Sequence, residues 1–234
     1  MSNDHKIKIG RPLSVSTVAL GFAALFASAT LVANAQIGSG WTQYFPTYSI
    51  HLDDSSGLHS YSWTSYKSVG SPICADYQYT SSTDTHRFRI LDNRSNRSEI
   101  RVQNDYGSGH QQFQGYVTFS SPLNDECLFQ IFGSTAGATQ MMLRGYSDSG
   151  GSIRSVGTPS ATISTFCYGV EKRINVIHIQ GNYIQIYRNG TLMAQGADNE
   201  SVVNYHKFGC YGTVQNGATT PAVVYWRAVK HFQQ

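Results

Sequence analysis

Tyr183-Ile184-Gln185-Ile186-Tyr187-Arg188-Asn189-Gly190-Thr191-Leu192-Met193 is the stretch on which the fold turns. Ile184 and Ile186 alternate with polar and aromatic neighbours, the period of a strand with one buried face. Asn189-Gly190 is the dipeptide that best accepts the two positive φ angles of a two-residue hairpin turn, and a second apolar run follows at once. Outward from this hairpin the pattern repeats. Short alternating runs at 88–91, 99–103, 113–120, 127–132, 139–143, 175–180, 206–211 and 222–229 each stop at turn-forming residues. No segment sustains a helical period, and from Gln36 onward there is no linker, repeat or low-complexity tract. Many short strands at this spacing predict an all-β, single-domain, antiparallel two-sheet fold, a β-jelly roll or a related sandwich. The chain has 234 residues, of which 40% are hydrophobic, enough for one substantial core and too few for two large domains.

The first 35 residues read differently. Lys6, Lys8 and Arg11 precede an apolar run, 12–32, that ends in Ala33-Asn34-Ala35. Basic start, apolar middle and small residues before the cut are the three parts of a secretory signal peptide. The expectation is export, cleavage after Ala35, and an extracellular domain of residues 36–234 with no membrane segment left. Cys74, Cys127, Cys167 and Cys210 all lie in that domain, so oxidising conditions would allow two disulfides, with the pairing left open. Their spacing matches no zinc pattern, no calcium loop is present, and neither metal nor cofactor is expected. Sequons at Asn93, Asn96, Asn189 and Asn199 fit a secreted protein. Much of the net charge of +3 sits in the leader, so nucleic-acid binding is disfavoured. Nothing calls for a partner chain, and a monomer is expected.

Against this near-neutral background Arg97-Ser98-Glu99-Ile100-Arg101-Val102-Gln103 stands out. In a strand, Arg97, Glu99, Arg101 and Gln103 form one polar row while Ile100 and Val102 enter the core. Arg87, Arg89 and Arg94 lie just upstream, and such a guanidinium cluster suits carboxylate groups. The bland reading is a solvated face of surface ion pairs. Elsewhere Gln130 and Phe132 share a face, as do Tyr205, Lys207, Gly209 and Tyr211, with Gly209 expected to leave room beside Tyr211 for a ligand.

Taken together, Arg97-Ser98-Glu99-Ile100-Arg101, Gln130-Ile131-Phe132 and the run from Tyr205-His206-Lys207-Phe208-Gly209-Cys210-Tyr211 to Thr213 resemble the three signatures of the alginate lyase-like polysaccharide lyases, family 7 and its fungal glucuronan lyase relatives of family 20. The resemblance spans about residues 60 to 230 and implies a single-domain β-jelly roll, a concanavalin A-like sandwich, and an enzyme without cofactor that acts on an acidic polysaccharide. It implies that Tyr211 transfers the proton, that Arg97 and Gln130 bind the uronate carboxylate, and that Arg101 and Lys207 assist, beside the row's Glu99 and Gln103. The chain departs from the pattern at Phe132, where the family has a histidine, and at Thr213, where it has a glutamine. Replacements from elsewhere would be His51, His59, His86 or His110; none is assigned, and His178 and His206 are left open.

Eliminative cleavage of a 4-linked uronate removes the C5 proton and expels the C4 oxygen, and it requires the carboxylate charge to be neutralised. In mannuronate and glucuronate the two groups leave from one side of the ring, so one tyrosine can serve both. Guluronate needs a second group. The expected substrates are therefore glucuronan or mannuronate-rich alginate. Hydrolysis is disfavoured: the exported part has only four Glu, at 99, 126, 171 and 200, and no Glu-x-Asp-x-x-Glu strand. Gly-x-Ser-x-Gly is absent. The alternative is a lectin-like jelly roll that binds acidic polysaccharide without chemistry.

Overall fold

The computed structural model describes residues 36–54, 56–63, 68–70, 74–133, 139–198, 203–212 and 219–234. The leader, the sequon at Asn199 and Thr213 lie outside the described residues. The strands are β1 (Thr42–Tyr44), β2 (Thr47–Asp54), β3 (Gly57–Ser62), β4 (Ser68–Gly70), β5 (Ala75–Thr80), β6 (Thr85–Ile90), β7 (Arg97–Gln103), β8 (His110–Phe119), β9 (Glu126–Gly133), β10 (Thr139–Tyr146), β11 (Ser152–Gly157), β12 (Ala161–Ser164), β13 (Lys172–Ile179), β14 (Tyr183–Arg188), β15 (Thr191–Ala197), β16 (Asn204–Gly212) and β17 (Ala222–Gln233). One sheet runs β12-β11-β10-β9-β16-β7-β2-β3, the other β15-β14-β13-β8-β17-β6-β5-β4 with β1 beside β17. Every strand pairing in both is antiparallel. The result is the two-sheet jelly roll that the alternation predicts.

Between the sheets lie Ile50, Phe88, Ile100, Phe113, Phe129, Ile131, Ile184, Ile186, Phe208 and Trp226, all buried. The alternation is faithful in the deciding hairpin: Ile184 and Ile186 are fully buried, Arg188 pairs Thr191, and Asn189 and Gly190 take φ of 51° and 88°. Both turn residues occupy the region such a turn demands.

The disulfide expectation is not met. All four cysteines are free and buried. Cys127 and Cys210 lie on adjacent strands, but Cys210 enters the core while Cys127 sits beside Tyr211 on the opposite face of the sheet, so their side chains cannot meet. Cys74 precedes β5 of the other sheet and Cys167 follows β12. Burial pushes the Cys127 and Cys210 thiols well up, which keeps them protonated.

Gly209 also differs from its reading. It lies in a bulge where the β16–β9 register slips between Phe208 and Tyr211, at φ +153°. A Cβ there would stand 2.5 Å from the Ser98 carbonyl oxygen and 2.7 Å from the Glu99 Cα. The missing side chain makes room for the neighbouring strand, not for a ligand.

Candidate active site on the outward face of the first sheet

The order β9-β16-β7-β2 brings the separated polar rows side by side. Lys207 pairs Arg101 on one side and Gln130 on the other, and Tyr211 pairs Arg97. Because pairing in register puts paired residues on the same face, Arg97, Glu99, Arg101, Gln130, Lys207 and Tyr211 share the outward side.

Glu99 is the centre of this face. It is 1% exposed, accepts a hydrogen bond from Gln130 Nε2 at 2.7 Å, and faces Arg97 Nε at 3.3 Å and Lys207 Nζ at 3.8 Å. Such a buried anion orients cations that would otherwise repel one another. Burial pulls the Lys207 ammonium below its ordinary value, and Glu99 pushes back. The Arg97 guanidinium lies 4.6 Å from the centre of the Tyr211 ring, and no hydrogen bond among the described residues takes its terminal Nη donors. Gln130 spends one amide N–H on Glu99 and keeps the other.

Arg101 and Gln103 are more committed. The Arg101 Nη2 donates to both Asp105 carboxylate oxygens at 2.7 and 2.8 Å, and Nη1 donates to Gln103 Oε1. Its guanidinium lies 3.9 Å from the Tyr205 ring centre, and Gln103 Nε2 donates to Ser49 Oγ at 2.6 Å. Phe132 packs against Tyr205 at 5.4 Å and lies 4.7 Å below the Lys207 ammonium, so it supports a cation by its ring face.

The sequence alone does not assign one further residue of this face. His51, on β2, pairs Glu99 and so points to the same side. Its Nδ1 is buried without a hydrogen bond. Burial first, then Lys207, Arg97 and Arg101, lower its pKa to about 4, so the imidazole is neutral near pH 7 and can accept a proton. The signal was present: Tyr48-Ser49-Ile50-His51-Leu52-Asp53 alternates as cleanly as β7. The other candidates lie elsewhere. His86 is buried against the Tyr77 hydroxyl, His110 sits beside Trp41, and His59 is on the edge strand β3. His178 and His206 are buried, both bonded to the Tyr106 hydroxyl. Beyond the Arg97 end of the row, Asp53, Leu58, Asn93, Arg94 and Asn96 line a depression of about 340 Å³.

This architecture is that of the alginate lyases of polysaccharide lyase family 7. An alginate lyase from Pseudomonas aeruginosa superposes with a TM-score of 0.64 over 80% of this chain and 98% of its own, at 14% identity. A marine family 7 alginate lyase from Zobellia galactanivorans gives 0.63 over 81% and 96%, at 16% identity. A family 7 alginate lyase in complex with substrate gives 0.59 over 80% and 93%, at 12% identity. No protein-family model matches the sequence. Among curated proteins, a citrate-binding protein of Hevea brasiliensis is 30% identical over 139 residues, 58% of this chain and 56% of that protein. The chain thus matches little more than half of that relative's length.

Proposed function

We propose that this chain is a secreted polysaccharide lyase that cleaves a 4-linked polyuronate, glucuronan or mannuronate-rich alginate, by β-elimination. The observation that carries this reading is the meeting of Arg97, Gln130 and Tyr211 on one sheet face around buried Glu99. The shared fold with alginate lyases supports it.

In this scheme the Arg97 Nη donors and the remaining Gln130 N–H hold the uronate carboxylate. Neutralising its charge stabilises the carbanion-like transition state, the main electrostatic requirement. Tyr211 removes the C5 proton, the C5–H electron pair forms the C4–C5 double bond, and the C4–O bond breaks with its electrons on oxygen. Tyr211 then returns a proton to that oxygen. Glu99 and Gln103 hold the binding groups in place, and Lys207 and Arg101 add positive charge for the polymer. One tyrosine suffices when the proton and the leaving oxygen are on the same side. Neutral His51 is the group available for guluronate, where they are not.

A second reading, binding of acidic polysaccharide or small carboxylates without chemistry, draws on the similarity to a citrate-binding protein and on the apolar ring of Phe132. Incubation with glucuronan, polymannuronate, polyguluronate and a neutral glucan, followed by absorbance of the conjugated unsaturated uronide, separates the two. The lyase reading expects a rise with the first two, and a slower rise with polyguluronate that disappears in His51→Ala. Binding of polyuronates with no absorbance change on any of them would establish the second reading.

A further inference from the structure

We propose that the opposite sheet carries a second saccharide site, for an uncharged polysaccharide, in a groove along β14. The groove has a volume of about 270 Å³ and is lined by Trp41, His110, Tyr183, Gln185, Tyr187 and Gln234, with apolar floor residues from β13. It lies on the outer face of its sheet, because Tyr183, Gln185 and Tyr187 alternate with Ile184 and Ile186, which are fully buried in the core. The candidate active site occupies the outer face of the other sheet, so the two are on opposite sides of the sandwich.

An outward strand face normally carries solvated groups. This one carries two tyrosines and, on β13, Ile177 and Ile179, beside a tryptophan. Among the described residues no Asp, Glu, Lys or Arg lines the groove, in contrast to the cation-rich site of Arg97, Arg101 and Lys207. A uronate would therefore find neither guanidinium nor ammonium here. Its polar side chains are hydroxyls and amides with the His110 imidazole and the Trp41 indole N–H, and two of them, Tyr187 and Gln185, are fixed in orientation. Tyr187 Oη donates to Gln185 Oε1 at 2.9 Å, and Gln185 Nε2 donates to Gln195 Oε1 at 2.6 Å.

The rim is held as firmly. Ile37 N donates to Gln112 Oε1 at 2.8 Å, and Gln112 Nε2 returns a bond to the Ile37 carbonyl at 3.3 Å, which fixes the segment leading to Trp41 across the sheet. Asn175 Nδ2 anchors the same Gln112 oxygen from below at 3.1 Å. Rings that take the C–H faces of pyranoses, interleaved with fixed amides that pair with hydroxyls, are the recognition chemistry of a neutral sugar chain. The strand rise places Tyr183 and Tyr187 about 13 Å apart along β14 with Gln185 midway, room for several consecutive sugar units.

Native affinity electrophoresis of the full chain tests this, in gels holding hydroxyethyl cellulose, laminarin, xylan or galactomannan. The site predicts retardation by at least one of these neutral polymers, insensitive to added salt and to Arg97→Ala. Trp41→Ala and Tyr187→Ala should weaken it at least tenfold while turnover of polyuronates is unchanged. Tyr183→Ala and Gln185→Leu, which keep the buried Ile184 and Ile186, give the reading should Trp41→Ala fail to fold. No retardation by any of the four polymers, retardation that these variants leave intact, or retardation lost in Arg97→Ala would overturn it. Because turnover is read separately, failure here is distinguishable from failure of the lyase reading.

Discussion

Glu99 is 1% exposed yet faces three polar side chains from its own strand and the next two, so it contributes to the site by holding other groups. Glu99→Gln keeps the shape and removes the charge, leaving Arg97 and Lys207 uncompensated. The expected result is a loss of about 3 kcal/mol in urea unfolding, the scale for breaking a buried ion pair, with a raised KM for polyuronate. Unchanged stability and kinetics would show that the carboxylate does not organise the face. At this scale the sequence is legible where alternation alone decides orientation: the period of β7 predicts Arg97, Glu99 and Arg101 on one face, and they lie there. The period of β2 sets the face of His51, but nothing local to residues 48–53 shows that this face adjoins the arginines of β7. The commitments of Arg101 to Asp105 and of Gln103 to Ser49 depend on rotamers and cross-strand partners, which no local pattern encodes.

The bulge on β16 is the element that sets Tyr211. By inserting an extra residue against β9 between Phe208 and Tyr211, it re-aims the phenol relative to Lys207. Gly209→Ala would drive a Cβ to 2.5 Å from the Ser98 carbonyl oxygen at a φ that L residues rarely adopt. It is expected to cost about 1–3 kcal/mol, the scale of local backbone strain, and to reduce turnover more than stability. An alanine variant with wild-type urea midpoint and rate would contradict this role. Most strands were readable from period and turn residues, the β14–β15 hairpin most directly. The neighbour order β9-β16-β7-β2 was not, since pairing between strands separated by tens of residues leaves no periodic trace. The resemblance to lyase signatures, not the alternation, suggested that these segments meet.

The whole sandwich buries four neutral histidines, His86, His178, His206 and His231. Burial lowers the pKa of all four, to about 3 for His86 and His231. Each lies below its unfolded value near 6.5, so the unfolded chain binds more protons once the pH drops under that value. Stability is then fully present above about pH 7 and falls on acidification, by up to about 1.4 kcal/mol per pH unit for each of His86 and His231. Glu126 opposes this: burial raises its carboxyl to about 8, which favours the fold increasingly as the pH falls from there toward 4.5. One carboxyl does not offset four histidines, and the urea midpoint should drop between pH 7 and pH 5; a flat or rising midpoint would contradict the histidine account. The cysteines, all free, are decided at this same scale. An even count of four permits bridges, but only the packed sandwich shows Cys127 and Cys210 on opposite faces of their sheet. The central claim, that three strands gather guanidinium, amide and phenol around one uronate unit, is tested most directly by comparing wild type with Tyr211→Phe on glucuronan and polymannuronate. The account predicts that unsaturated product formation falls at least about a hundredfold, the scale of a lost proton-transfer group, while polymer affinity stays near wild type. Retained turnover in Tyr211→Phe would contradict it.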